Sequence, residues 1–336
     1  MFTKIIALFT SVITLVTSGI VGFSSKVGFD GYNLYVSNIE AIEAYENTLD
    51  TAIPQTAIYS LISDHFNSQS KKEKKAILIG YDGARADSLL YGKENGAVKY
   101  MLSKDAKAYI GYCGAANFPQ VNRQATSTAP GWCSILTGQW ANVHGVKDND
   151  IPKDNDTLTL LTTLVEEGKA DSTKFYTSWG GHFGGDTSTY INEKQYCKDN
   201  KLSVGFGYRD NDEEVYAATA KELKKKNCSD FIFTILEGTD HAGHDTGFGL
   251  FNEDYIKGYE DQDILAKKII NTIRKRENYK NEDWLIIIAS DHGGFMTGHG
   301  MASIQERMTF IVTNKDFTPE QIAAGTGDQS IISFIK

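Results

Sequence analysis

"WLIIIASD", residues 284–291, decides the fold. It is an isoleucine-rich run too short for an ordinary helix, and it closes on an aspartate. Such a run is a β-strand buried on both faces. The same pattern recurs in "AILIGYD" (76–82), "KFYTSW" (174–179), "FIFTILE" (231–237) and "TFIVT" (309–313). Helical patterns lie between them: "LTLLTTLVEEGK" (158–169), "EEVYAATAKELKKK" (213–226) and "YIKGYEDQDILAKKIINTIRKR" (255–276). Continuous apolar strands alternating with amphipathic helices predict an α/β three-layer sandwich with a mostly parallel central sheet. Ligands of such sheets bind at the carboxyl ends of the strands. Asp82 ends the first of these strands, Asp240 follows the third, and Asp291 and His292 end the fourth. Separate strands therefore deliver an acid to one edge.

The chain has seven histidines, and two of them, His241 and His244, fall just past the third strand. With His292 and His299, the edge gathers Asp82, Asp240, His244, Asp291, His292 and His299. Carboxylates and imidazoles in this mixture suit two zinc-like ions, because borderline metals take N and O ligands in small shells. Singly, each residue has an ordinary reading. Asp82 can cap a turn, His299 can sit in a glycine-rich loop, and His241 can face water. Jointly, at strand ends, they read as a metal site. Thr128 opens "TAPGWCSILTG" (128–138), where Pro130 marks a helix N-terminus. Its hydroxyl stands where backbone N–H groups favour an anion, or it is simply an N-cap. Periodicity does not separate the two.

The ordered set "GYDGARADS" (80–88), "TAPGWCSILTG", "TDHAGHDTG" (239–247), "SDHGG" (290–294) and "GHG" (298–300) resembles the type I phosphodiesterase/nucleotide pyrophosphatase family of the alkaline phosphatase superfamily. The resemblance runs from about residue 75 to 313 and implies an alkaline phosphatase-like fold. It implies that Asp240, His244 and His299 hold one Zn2+, and that Asp82, Asp291 and His292 hold the other together with the nucleophile Thr128. His241 matches no ligand position. The implied reaction is hydrolysis of a phosphate-ester small molecule, a nucleotide or similar, through a phospho-threonine. Animal members carry asparagine three residues beyond the nucleophile, where this chain has Gly131. The contact to the phosphate oxygen is therefore expected from a backbone N–H at the helix start or from Asn122. A sulfatase needs Cys or Ser at position 128 in a Cys/Ser-x-Pro-x-Arg frame, and Thr128 with Trp132 breaks it at both ends. A phosphomonoesterase on the same scaffold stays open, as does a surface-binding pseudoenzyme.

Other segments carry less. Trp132 can stack on a leaving group or belong to the core. Trp179 and His182, in "SWGGHFGGDTSTY" (178–190), can line the substrate or an ordinary loop. His144 is expected to be structural, and Arg85 to form a surface ion pair.

With 336 residues, 41% hydrophobic and 23% charged, the chain is globular. Its net charge of −9, with pI ≈ 5.3, argues against a nucleic-acid-binding surface. The one dense cationic cluster, "KKEKK" (71–75), reads as a solvated boundary. Residues 1–25 begin with Lys4 and an apolar run from Ile5 to Phe23, the pattern of a signal peptide or of a single membrane anchor. Either predicts a chain secreted or held on the outer face of a membrane. Residues 26–75 are expected to be an N-terminal helical segment, with "IEAIEAYENTLD" (39–50) and "TAIYSLISDHF" (56–66), closed by the linker "NSQSKKEKK" (67–75). Residues 76–336 form the catalytic domain. In an oxidising compartment Cys113, Cys133, Cys197 and Cys228 permit two disulfides. A Cys197–Cys228 bridge is expected ahead of Cys133–Cys197, with four buried thiols as the other reading.

Overall fold

The computed structural model describes residues 52–115, 122–150, 155–184, 188–249 and 252–326. The expected signal segment and the helix at 39–50 lie outside the described residues. The strands are β1 (Ile53–Pro54), β2 (Glu73–Tyr81), β3 (Lys107–Tyr112), β4 (Thr173–Thr177), β5 (Val204–Tyr208), β6 (Phe231–Leu236), β7 (Glu282–Ala289) and β8 (Met308–Thr313). The helices are α1 (Ala57–Asn67), α2 (Ala97–Leu102), α3 (Thr128–Thr137), α4 (Ala141–His144), α5 (Leu160–Glu166), α6 (Ile191–Asp199), α7 (Asp212–Leu223), α8 (Gly238–Thr246), α9 (Glu253–Arg274), α10 (Ile304–Arg307) and α11 (Pro319–Thr326).

All eight strands form one sheet in the order β1-β3-β8-β7-β2-β6-β4-β5. Its centre is parallel: β2 pairs with β7 on one side and β6 on the other, in register from Glu73↔Glu282 and Ala76↔Phe231. Only β8 runs against its neighbours, pairing antiparallel with β7 and β3. The reason is its connection. From Ser290 to Ser303 the chain has no helix to carry it back across the sheet, so the strand after α10 must return in the opposite sense.

Both faces of the sheet are covered, and alternate side chains serve different layers. Ile77, Ile79, Tyr81, Ile286 and Ile288 pack with α7 and α9 on one face. Leu78, Phe233, Ile235, Leu285 and Ile287 pack with α1, α3 and α5 on the other. Each such side chain contributes about 1.5–3 kcal/mol on burial. The expected three-layer sandwich is thus the observed architecture. The stretch read as a linker is partly strand, since β2 already starts at Glu73. β1 extends the sheet edge beside β3, and α1 buries Ile58, Leu61 and Ile62.

The expected Cys197–Cys228 disulfide does not form: all four cysteines are free and buried. Cys228 belongs to the core on the α7/α9 face. Cys197 sits in α6 with its Sγ 3.1 Å from Thr162 Oγ1 of α5, on the other face. The sheet stands between them. Among the described residues no helix is long and apolar enough to cross a membrane.

Candidate active site

The parallel strands β2, β6 and β7 end together, and the next residues of each supply the site. Asp82 follows β2 directly. Gly83 then turns at φ +65, where a Cβ would stand 2.4 Å from Asp240 Oδ1, so only glycine lets this turn pass beneath Asp240. After β6 the chain enters α8, which places Asp240 in its first turn and His244 one turn later on the same side. His244 Nε2 lies 3.3 Å from Asp240 Oδ2. After β7 come Asp291 and His292, both fully buried. The loop beyond delivers His299, with Nε2 3.6 Å from Asp240 Oδ1 and 3.0 Å from His244 Nε2. Thr128 is the first residue of α3, and Ser127 holds the cap position that the sequence suggested for Thr128. The Thr128 hydroxyl donates to Asp82 Oδ1 at 3.3 Å and lies 3.4 Å from His292 Nε2.

These residues fall into two clusters whose ligand atoms lie within 4.8 Å of one another: Asp82 with Asp291 and His292, and Asp240 with His292 and His299. The first matches an expected ligand set. The second puts His292 where the resemblance implied His244, although His244 touches both Asp240 and His299. His292 therefore stands between the two halves.

The imidazoles are oriented alike. Nδ1 of His244 meets the Thr297 carbonyl at 3.0 Å, that of His299 meets the Thr126 carbonyl at 2.9 Å, and that of His292 meets the Gly293 carbonyl at 2.7 Å. A carbonyl only accepts, so each Nδ1 carries a proton and each Nε2 faces inward. The Nε2 atoms of His244 and His299 face each other at 3.0 Å. That contact requires a proton or a cation between them. Asp240 Oδ1 and Asp291 Oδ2 are buried without a hydrogen-bond partner among the described residues. A cation satisfies both kinds of vacancy, so the residues present fit metal ions.

The electrostatics agree. Burial opposes charge on His292, yet Asp291 and Asp82 drive its pKa up to about 10. Burial, then the charge of His292, pushes His299 down to about 3. Burial and the neighbouring Asp82 raise Asp291. Asp240 is lowered despite its burial, through its hydrogen bond to His244 and the imidazoles around it. That same hydrogen bond raises His244. The protein itself balances these carboxylates only by holding protons on imidazoles.

Of the lesser expectations, His144 is structural, with Nε2 3.0 Å from Ser134 Oγ. His241 is exposed, as expected. His182 is fully buried, with its ring against Phe175, Trp179 and Tyr190. Arg85 does not form a surface pair: it is fully buried and bonds Asp87 at 2.6 Å. Trp132 belongs to the core, and its Nε1 donates to Asp82 Oδ2 at 2.9 Å. Asn122 is buried, with its carbonyl accepting from Ala115 N–H.

Two contributors escaped the sequence reading. Thr126 ties the His299 loop to the start of α3, its hydroxyl accepting from Gly300 N–H at 2.8 Å. Asn149 Oδ1 accepts from the N–H of Ala129, the residue after Thr128, at 3.0 Å. Neither lies in a patterned segment. Only the proximity of "TST" to Thr128 hinted at the first.

A family model described as type I phosphodiesterase / nucleotide pyrophosphatase matches residues 76–310. Solved structures similar to this chain include an alkaline phosphatase superfamily protein from Vibrio parahaemolyticus, at 12% identity and TM-score 0.48, covering 78% of this chain and 69% of that one. Murine ectonucleotide pyrophosphatase/phosphodiesterase 5 matches at 17% identity and TM-score 0.43, over 66% of this chain and 57% of that one. The C-terminal periplasmic domain of EcEptC from Escherichia coli, solved in complex with zinc, matches at 14% identity and TM-score 0.45, over 76% of each chain. No curated protein matches the sequence. The chain belongs to the type I phosphodiesterase/nucleotide pyrophosphatase family and is a phosphoester hydrolase.

Proposed function

Taking that membership as the premise, we propose that the chain is an exported two-zinc phosphodiesterase or nucleotide pyrophosphatase working through a phospho-threonine at Thr128. The observation that carries this reading is the convergence of three Nε2 atoms and three buried carboxylates at the strand ends, where the Thr128 hydroxyl meets Asp82 Oδ1 and His292 Nε2. One ion would be held by Asp240, His244 and His299, and the other by Asp82, Asp291 and His292 with Thr128. Bound there, the ions would lower the pKa of hydroxyl and water and offset charge growing on phosphate oxygens.

The protein's own groups have distinct tasks. Asp82 Oδ1 accepts the Thr128 proton, while Trp132 holds the other oxygen of that carboxylate and fixes its plane. The freed oxygen attacks phosphorus, the bond to the leaving oxygen breaks, and the leaving alcohol or phosphate takes a proton from solvent, to which Asp82 returns its own. Water then attacks the phosphothreonine from the vacated side and restores the hydroxyl. The substrate oxygens need a donor, and Gly131 has no room to supply one. A Cβ there would stand 2.9 Å from Asp291 Cβ and 3.0 Å from its carbonyl oxygen. The Gly131 N–H is spent on the Ser127 carbonyl, and the Ala129 N–H on Asn149. Asn149 is exposed, and with its Oδ1 engaged, its Nδ2 is left for a substrate oxygen. Asn122 is buried, with both atoms of its side-chain amide unpartnered among the described residues.

Export rests on the apolar run from Ile5 to Phe23. Turnover of bis(p-nitrophenyl) phosphate against p-nitrophenyl phosphate tests the substrate class. A diester preference is expected, and hydrolysis of the monoester alone would favour a phosphomonoesterase.

A further inference from the structure

The opposite edge of the sheet, where β2, β6 and β7 begin, collects cations from segments far apart in sequence. Lys71 and Lys72 precede β2, Lys224 and Lys226 follow α7, and Lys275 and Lys280 lie between α9 and β7. All are exposed, and none forms an ion pair among the described residues. The acids nearby are mostly turned inward. Glu282 is taken by Arg276 at 2.6 Å, Asp230 by Lys75 at 2.7 Å, and Asp283 by Lys74 and Lys315 at 2.8 Å each. Arg276 also donates to the Lys225 and Lys226 carbonyls, at 2.9 and 3.1 Å, which fixes the lysine turn against the end of α9. Between them lies a groove of about 500 Å³ whose charged lining is Lys224, Lys225, Lys226, Lys275 and Arg276 against a single acid, Glu277. A chain of net charge −9 thus keeps an edge where exposed cations outnumber the exposed acids Glu73 and Glu277, and of which the sequence singled out only "KKEKK".

We propose that this lysine-rich edge is a docking face for an anionic phospholipid surface. The strands that carry the site run away from this edge, so docking holds the site off the lipid by the length of β2, about 30 Å. Three features favour lipid over other polyanions. The cations extend beyond the groove, to Lys71, Lys72 and Lys280 on other segments. Of the aromatics at this edge, Trp284 is 4% exposed and covered by Arg276, and Tyr279 is partly buried against the core, so little ring surface is offered to a base. The same chain also carries the apolar run from Ile5 to Phe23, which favours a bilayer as its neighbour. Lysines near an anionic leaflet are attracted individually, and the attraction is screened by salt.

The test is lysine footprinting of the full chain with a water-soluble amine-reactive reagent, read by peptide mass spectrometry. It compares phosphatidylcholine vesicles with vesicles that also contain phosphatidylglycerol. Labelling of Lys224, Lys226 and Lys275 is expected to fall by at least about fivefold on the anionic vesicles at low salt and to recover at high salt. Lys194 and Lys257, on other faces, should label equally throughout. In the variant Lys224→Glu/Lys226→Glu/Lys275→Glu, the protection of Lys71 and Lys72 should vanish while hydrolysis of a soluble ester is retained. Equal labelling on neutral and anionic vesicles overturns the proposal. So does protection by heparin without protection by vesicles, which would assign the edge to a soluble polyanion.

Discussion

The two edges of the sheet handle buried charge in opposite ways. Where β2, β6 and β7 begin, each buried ionic group closes its account within the protein. Lys75 bonds Asp230 and the Cys228 carbonyl, and Arg276 bonds Glu282 and the carbonyls of the lysine turn. Where the same strands end, Asp240 and Asp291 each keep a buried oxygen without a hydrogen-bond partner among the described residues, and two imidazole Nε2 atoms face each other. One edge is built to be stable alone. The other stays unfinished until something positive arrives, a common cost of a functional site.

The largest effect expected at the unfinished edge is on turnover. Chelation followed by gel filtration should reduce ester hydrolysis to background, and adding zinc back at roughly two ions per chain should restore it. Activity that survives complete removal of transition metals breaks the comparison. A sharper version uses stability. Asp230→Asn should cost about 3 kcal/mol, because it leaves Lys75 buried without its main partner. In metal-free protein Asp291→Asn should do the reverse and raise Tm, since it removes a carboxylate that burial and Asp82 already disfavour. Urea melts of both variants with metal stripped decide this, and a loss for Asp291→Asn equal to that for Asp230→Asn would erase the distinction.

The contrast also explains what could be read in advance. The central strands were legible because burial on both faces leaves an unbroken apolar run. The acids at their ends were legible because strand direction sends them to one edge. β3 and β5 were not, since "KAYIGY" and "VGFGY" are only partly buried and show neither a full run nor clean alternation. β1 is two residues long and has no pattern at all. Arg85 looked exposed because arginine usually is. Its burial depends on Asp87 and on the Phe248 carbonyl, brought in from far along the chain. The lysine edge was hidden for the same reason: its parts are separated in sequence by whole helices and strands.

Gly131→Ala probes how tightly α3 is seated against the unfinished edge. The added methyl must displace either the first turn of α3 or the Asp291 backbone by some tenths of an ångström. A fall in kcat of about tenfold or more is expected, with a smaller change in Tm. Unchanged kcat would mean that Thr128 need not be held closely.

The smallest effect concerns His182, which follows β4 with its ring buried against Phe175, Trp179 and Tyr190. Both its ring nitrogens lack partners among the described residues, and burial lowers its pKa to about 3. The folded state keeps it neutral, whereas the unfolded chain takes up a proton below about pH 6.5. Its contribution therefore falls as pH drops from about 6.5 toward about 3, by about 2 kcal/mol at pH 5. His182→Phe should leave Tm at pH 7 nearly unchanged and reduce the loss between pH 7 and pH 5. An unaltered pH dependence would mean the ring is not held neutral.

The central claim is that the unfinished edge acts through the Thr128 hydroxyl. The most direct measurement is the turnover of Thr128→Ala with metal content and Tm determined on the same preparation. Turnover should fall on the order of 10³-fold or more, with metal still bound and Tm within a few degrees of the parent protein. Thr128→Ser should keep part of the activity. Thr126→Ala should lose less, because Thr126 steadies the His299 loop and does not itself attack. A metal-loaded Thr128→Ala that retains a substantial share of turnover would contradict covalent catalysis and leave direct attack by water as the mechanism.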